Sequence, residues 1–167
     1  MLSVTQTIPD HGEICENNIS GEFYMTKDIL VRVRGTQTIG EEDDTVEMIT
    51  PGTYYEKNGK QYFIYDESLD ETGTPTHNTV KIMENRIEVT KRGLVDSHMI
   101  FEPGKRTTAN YRTPMGLFLM GITTSFLEIA EDEESILLKI KYSMEMNGQY
   151  AFDCSTEILA SSKKDEV

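Results

Sequence analysis

The stretch from Ser135 to Leu159 constrains the fold more than any other part of the chain. Ile136, Leu138, Ile140, Tyr142, Met144 and Met146 recur at every second position, with Lys139, Lys141, Ser143 and Glu145 between them. Only β-structure places alternate side chains on one face. Asn147-Gly148 follows, and then a second alternating run with Tyr150, Phe152, Cys154 and Ile158 on one face. An Asn-Gly pair between two such runs specifies a hairpin, because a type I′ turn needs φ > 0 at both central residues.

The same grammar governs the chain from Asp28 onward. A strand is expected from Asp28 to Thr38, then a charged turn at Gly40–Asp44 and a short strand at Thr45–Thr50 broken by Pro51-Gly52. Tyr54–Lys57 and Lys60–Glu67 flank a second Asn-Gly pair, Asn58-Gly59. Ser68–Asn78 reads as a polar loop. Further strands are expected at Thr79–Met83, Arg86–Arg92, Val95–Phe101 and Lys105–Thr113, followed by the apolar run Leu117–Ile129. Phe126–Ala130 is compatible with either helix or strand. Short strands and tight turns exclude a parallel design, which needs crossover helices. The expected fold is therefore all-β: a single antiparallel up-and-down β-barrel of about eight to ten strands, closed because closure removes exposed edges. Residues 1–25 read as an N-terminal arm, 26–160 as the barrel and 161–167 as a tail. The arm carries four acidic residues and no Lys or Arg.

At 167 residues one domain suffices to bury a core without covalent staples. The formal net charge of -13 opposes a phosphate backbone, so nucleic-acid binding is not expected. Two cysteines, Cys15 and Cys154, make no disulfide framework and no Cys-x-x-Cys pair. No apolar run approaches the length of a membrane span, so no membrane partner is expected and the cytoplasm is the expected compartment.

Catalytic and metal constellations are weak. His11, His77 and His98 are scattered, and Ser97-His98 would point to opposite faces of a strand. Gly104-Lys105-Arg106-Thr107 lacks the preceding glycine and the following helix of a phosphate loop. The acidic clusters Glu41–Asp44 and Glu131–Glu134 lack the spaced ligands of a calcium loop and read as solvated turns. No catalytic residue, metal site or cofactor is assigned. The informative residues are polar or aromatic groups at positions expected to face inward: Gln37, Arg92, Ser97, Tyr111 and Tyr142, with Met99 beside them. Buried polar groups need partners in the protein, in water or in a ligand. An internal network that only fixes the barrel is the competing interpretation.

Several short motifs run in a recognisable order. They are Gly35-Thr36-Gln37, Gly52-Thr53-Tyr54-Tyr55, Tyr65-Asp66-Glu67 with Glu71-Thr72-Gly73, and Arg92-Gly93. Ser97-His98-Met99-Ile100-Phe101-Glu102, Gly104-Lys105-Arg106, Tyr111-Arg112-Thr113-Pro114-Met115-Gly116 and Met146-Asn147-Gly148 follow. From about Lys27 to Ile158 the chain resembles the YwiB-like family of small bacterial proteins of unknown function. That resemblance implies a calycin, lipocalin-like barrel and carries over no catalytic residues. The family pattern has an aromatic where Met115 stands and a threonine where Val80 stands, which touches packing only. Three functions are weighed: a barrel holding a small, partly apolar ligand; a filled-barrel interaction module, monomer or homodimer, using its acidic surface or arm; and a hydrolytic or isomerase-type enzyme at the barrel mouth, for which no nucleophile–base pair is evident.

Overall fold

The computed structural model describes residues 27–68 and 73–163. Ten strands follow one another: β1 (Asp28–Ile39), β2 (Glu42–Lys57), β3 (Lys60–Ser68), β4 (Pro75–Met83), β5 (Arg86–Gly93), β6 (Asp96–Phe101), β7 (Arg106–Thr113), β8 (Gly116–Glu131), β9 (Ser135–Met146) and β10 (Gln149–Ser162). Each pairs antiparallel with its neighbour in sequence, and β1 pairs with β10 to close the barrel. This is the up-and-down meander that the hairpin grammar predicts. One end of the barrel, the mouth, carries the β1–β2, β3–β4, β5–β6, β7–β8 and β9–β10 connections. The opposite end, the base, carries the other turns and both ends of the described barrel. The expected arm and tail fall largely outside the described residues.

Both Asn-Gly turns adopt the left-handed geometry their sequence requires. Asn58 and Gly59 have φ of 55 and 77°, and Asn147 and Gly148 have 50 and 88°. Asn147 also ties its hairpin to β8: its N–H donates to the Leu119 carbonyl at 2.8 Å, and its Oδ1 accepts from the Leu119 N–H at 3.1 Å.

The core follows from strand alternation. Ile29, Val31, Phe63, Val80, Ile87, Ile136, Leu138, Ile140 and Ala160 are buried inside the wall. Their rows concentrate towards the base. Phe126–Ala130, open to helix in the sequence, is strand. A bulge at Ser125 explains its broken alternation: Thr124 pairs with Tyr142, but Phe126 pairs with Lys141. The extra residue moves the inward set from Met120, Ile122 and Thr124 to Leu127 and Ile129, and turns Phe126 outward.

Two sequence expectations are corrected. Pro51-Gly52 does not break the strand, since β2 is continuous. Pairing with β3 begins only at Gly52, so Pro51 faces β1 alone and loses no second ladder. A Cβ at Gly52 would lie 2.7 Å from the Ile64 carbonyl oxygen and 2.9 Å from Val31 Cγ2, so glycine is required where the two strands meet. The Ser68–Asn78 loop is also shorter than expected, because β4 starts at Pro75 and pairs Thr76 with Glu67 and Asn78 with Tyr65. Thr76 and Asn78 are fully buried. They are polar, so hydrophobic alternation could not reveal them.

Candidate functional site

A continuous row of hydrogen-bonding side chains crosses the inner wall near the mouth. The register joins Tyr65 to Asn78, Asn78 to Lys91, Lys91 to Ser97 and Ser97 to Tyr111. Directly opposed residues project to the same face, about 5 Å apart. Lys91 Nζ donates to Glu67 Oε1 at 2.9 Å and to Asn78 Oδ1 at 2.8 Å, and Asn78 Nδ2 donates to the same Glu67 oxygen at 2.7 Å. The Lys91 and Glu67 side chains retain only 17% and 14% exposure, so each charge offsets the other where desolvation of either alone would be costly. Burial, reinforced by the Glu67 charge, raises the hydroxyl pKa of both Tyr65 and Tyr111. Both phenols stay protonated and able to donate. Ser97 Oγ and Thr124 Oγ1 are buried without a hydrogen-bond partner among the described residues.

Across the interior, a cleft of about 200 Å³ lies against the wall formed by β9, β10, β1 and β2. It is lined by Gly35, Thr36, Gln37, Asp44, Val46, Tyr142, Cys154 and Thr156. The first half of β2 leaves β3 to make this opening. Tyr142 lies on its wall. Its hydroxyl lies beside Thr156 and Cys154, and its ring packs on Phe101 at 4.8 Å between centroids. Desolvation raises the Tyr142 hydroxyl strongly, and Tyr111 is near enough to add to that effect. Burial also raises the Cys154 thiol, which favours the neutral form over the thiolate. The outer side of the same wall bears a more open groove of about 400 Å³, in which Ser143 Oγ donates to Asp153 Oδ1 at 2.7 Å and Ser125 Oγ to the Lys141 carbonyl at 3.2 Å.

The residues singled out from sequence separate into three places. Gln37 and Tyr142 line the cleft, although Gln37 sits at its exposed rim. Ser97, Met99 and Tyr111 face inward on β6 and β7, Ser97 and Met99 being buried and Tyr111 half-buried. Arg92 is a correction. It lies on the outer, exposed face, and its guanidinium returns to the Lys91 carbonyl. Inward Ile87 and Val89 set the parity of β5, which makes Lys91 the interior cation. His98 also points outward, 2.8 Å from Thr90 Oγ1, while Ser97 is buried, so the two cannot act as a dyad. Glu67, Asn78, Lys91, Asp44, Cys154 and Thr156 were not singled out. The signal for Lys91 and Glu67 was available, since each continues the inward parity of its own strand.

The model of a domain of unknown function, DUF1934, matches residues 31–158. The chain belongs to the DUF1934 family. A relative of this β-barrel family, the uncharacterized beta-barrel protein YwiB of Bacillus subtilis (strain 168), is 29% identical over 121 residues, covering 72% of this chain and 84% of that protein. The crystal structure of the ywiB protein from Bacillus subtilis superposes with a TM-score of 0.74 at 24% identity, over 83% of this chain and 93% of the other. The DUF1934 match and this barrel agree with the family resemblance read from the motifs. Among the described residues no helix is long and apolar enough to cross a membrane, and no cluster of three or more His, Cys, Asp or Glu could hold a metal ion.

Proposed function

We propose that this DUF1934 barrel is a binding protein for a small, partly apolar molecule seated in the cleft against β9, β10, β1 and β2. The observation that carries this reading is the cleft itself, about 200 Å³ of space walled by polar Gln37, Asp44 and Thr156 together with Val46, Tyr142 and Cys154. A few convergent polar groups among apolar ones are what orient a small ligand. The tightly filled rows towards the base favour a ligand at the mouth side over one at the barrel centre. The cytoplasm is the proposed compartment, because a free, buried Cys154 suits a reducing environment. Native mass spectrometry of protein purified without denaturation tests the reading. A reproducible small-molecule adduct is expected, and it should be lost or weakened in Gln37→Ala, whose exposed position leaves folding intact. A clean apo mass from fresh protein would contradict it.

A second reading has its own support. The segment Glu42–Pro51 of β2 pairs with β1 alone among the described residues, and Val46 and Ile49 on it are 67% and 56% exposed. An open strand edge is a site for a partner strand. In this reading the barrel is a protein-interaction module, and Ile49→Lys should reduce self-association or partner binding while leaving any cleft adduct in place.

A further inference from the structure

We infer that Lys91, Ser97 and Tyr111 form a hydrogen-bond donor subsite on the inner wall, which receives an uncharged acceptor oxygen of the bound molecule, such as a ketone, ester or amide carbonyl. The inference rests on the binding-barrel reading and adds the chemistry of the ligand's polar end. Ser97 sits in register between Lys91 on β5 and Tyr111 on β7, so three donors project to one face within two strand spacings, about 10 Å. Ser97 is 5% exposed and its Oγ has no partner among the described residues. A hydroxyl buried in that state is unfavourable until something accepts its proton or donates to its lone pairs. Lys91 Nζ uses two of its three donors, on Glu67 and Asn78, and retains one. Tyr111 adds a phenol that stays protonated.

Charge decides between acceptor classes. The Lys91 ammonium is already paired with Glu67 at 2.9 Å, so the corner is neutral as it stands. A carboxylate would add negative charge beside Glu67 in a chain of net charge -13, where the Lys91 ammonium is already paired. A ligand ammonium would be repelled by the Lys91 ammonium at the same corner. A neutral carbonyl oxygen satisfies Ser97, Tyr111 and the spare Lys91 hydrogen without adding charge. Tyr142, which lines the cleft and packs on Phe101, is near enough to Tyr111 for the two phenols to interact electrostatically.

Three six-carbon probes test the inference: hexan-2-one, hexanoate and hexylamine, titrated calorimetrically into wild type, Ser97→Ala, Tyr111→Phe and Arg92→Ala. Hexan-2-one is expected to bind most tightly. Its affinity should fall about tenfold in Ser97→Ala and in Tyr111→Phe, as for one lost hydrogen bond, and stay unchanged in outward-facing Arg92→Ala. Ligand-free Ser97→Ala should melt no lower than wild type, because it removes an unsatisfied buried group. A drop of more than about 5 °C would mean that the hydroxyl is satisfied within the protein, and would overturn the inference. Preference for hexylamine or hexanoate would overturn it as well. A native adduct that survives Ser97→Ala and Tyr111→Phe unchanged would sink the subsite and spare the cleft reading. Wild-type protein that retains no adduct and binds none of the three probes would end both.

Discussion

Gly93 illustrates how much of this barrel is decided by single backbone positions. Its φ is +132°, and a Cβ there would lie 2.4 Å from the Pro75 carbonyl oxygen. Its N–H donates to Asp96 Oδ1 at 3.0 Å, which starts the turn into β6. Gly93→Ala should therefore cost about 2–3 kcal/mol, combining backbone strain with a clash against backbone that cannot move aside. Urea unfolding would register this as a lower midpoint at unchanged slope, and a change below about 0.5 kcal/mol would refute the close approach. At this scale the sequence was legible where apolar residues alternate without a bulge; Tyr150, read with Phe152 and Cys154, is 61% exposed because the register shifts between Tyr150 and Phe152. The sequence was ambiguous wherever an inward position was polar. Ser97, Tyr111 and Tyr142 could be placed because apolar neighbours fixed their parity. Arg92 ends a strand whose other face carries Ile87 and Val89, and it is that face, with Lys91, which turns inward. Asn78 and Thr76 were lost in an apparent loop, because an inward polar residue looks like a solvated one when only hydropathy is read.

Among the elements, the ladders are uneven. β9 and β10 pair along nearly their whole length, from Met146 with Gln149 down to Ser135 with Ser161. β6 and β7 pair only at Asp96 with Arg112 and Ser97 with Tyr111. Further down, Thr107 Oγ1 donates to the Ile100 carbonyl at 2.8 Å, and the Gly104 N–H reaches past β7 to the Thr124 carbonyl at 2.9 Å. A side-chain bond thus takes the place of part of the backbone ladder. Hydrogen exchange should find the β6–β7 seam opening with lower free energy than the β9–β10 ladder, so its amides exchange earlier. Equal protection across both would contradict this. The alternating pattern announced both Asn-Gly hairpins, because turn chemistry and periodicity agree there. It could not announce the thin seam, since register depends on long-range closure. Nor could it place the Ser125 bulge, because one extra residue in Leu117–Ile129 looks like loss of alternation.

For the molecule as a whole, charge and burial set opposite limits on stability. Asp132 accepts from the Glu134 and Ser135 N–H groups, Glu102 pairs with Lys105 and Glu145 with Arg106, and each carboxyl is held below its ordinary value by those partners. Groups of this kind stabilise the fold above the ordinary carboxylate range, and that contribution disappears as pH falls through their lowered values. Buried Tyr65 and Tyr142 act in the other direction. Their raised hydroxyls stabilise the fold below about pH 10, and this is lost as pH rises further. Relief of negative self-repulsion delays the acid limb. The urea midpoint should be nearly flat from about pH 6 to 9, falling below about pH 4 and above about pH 10. A midpoint that kept rising from pH 9 to 11 would contradict the burial of these phenols. A closed antiparallel meander of about eight to ten strands was legible at this scale because almost every connection reads as tight. The cleft was not, since it arises where β2 parts from β3, a feature of shear and closure rather than of local pattern.

The most direct test of the central claim is a crystal structure of the protein purified without denaturation, at a resolution that separates water from an organic ligand. The binding-barrel account predicts continuous non-protein density in the cleft, touching Gln37, Tyr142 and Thr156, with an acceptor oxygen within about 3 Å of Ser97 Oγ. A cleft closed by side chains, or holding only isolated waters that satisfy Ser97 and Thr124, would contradict it.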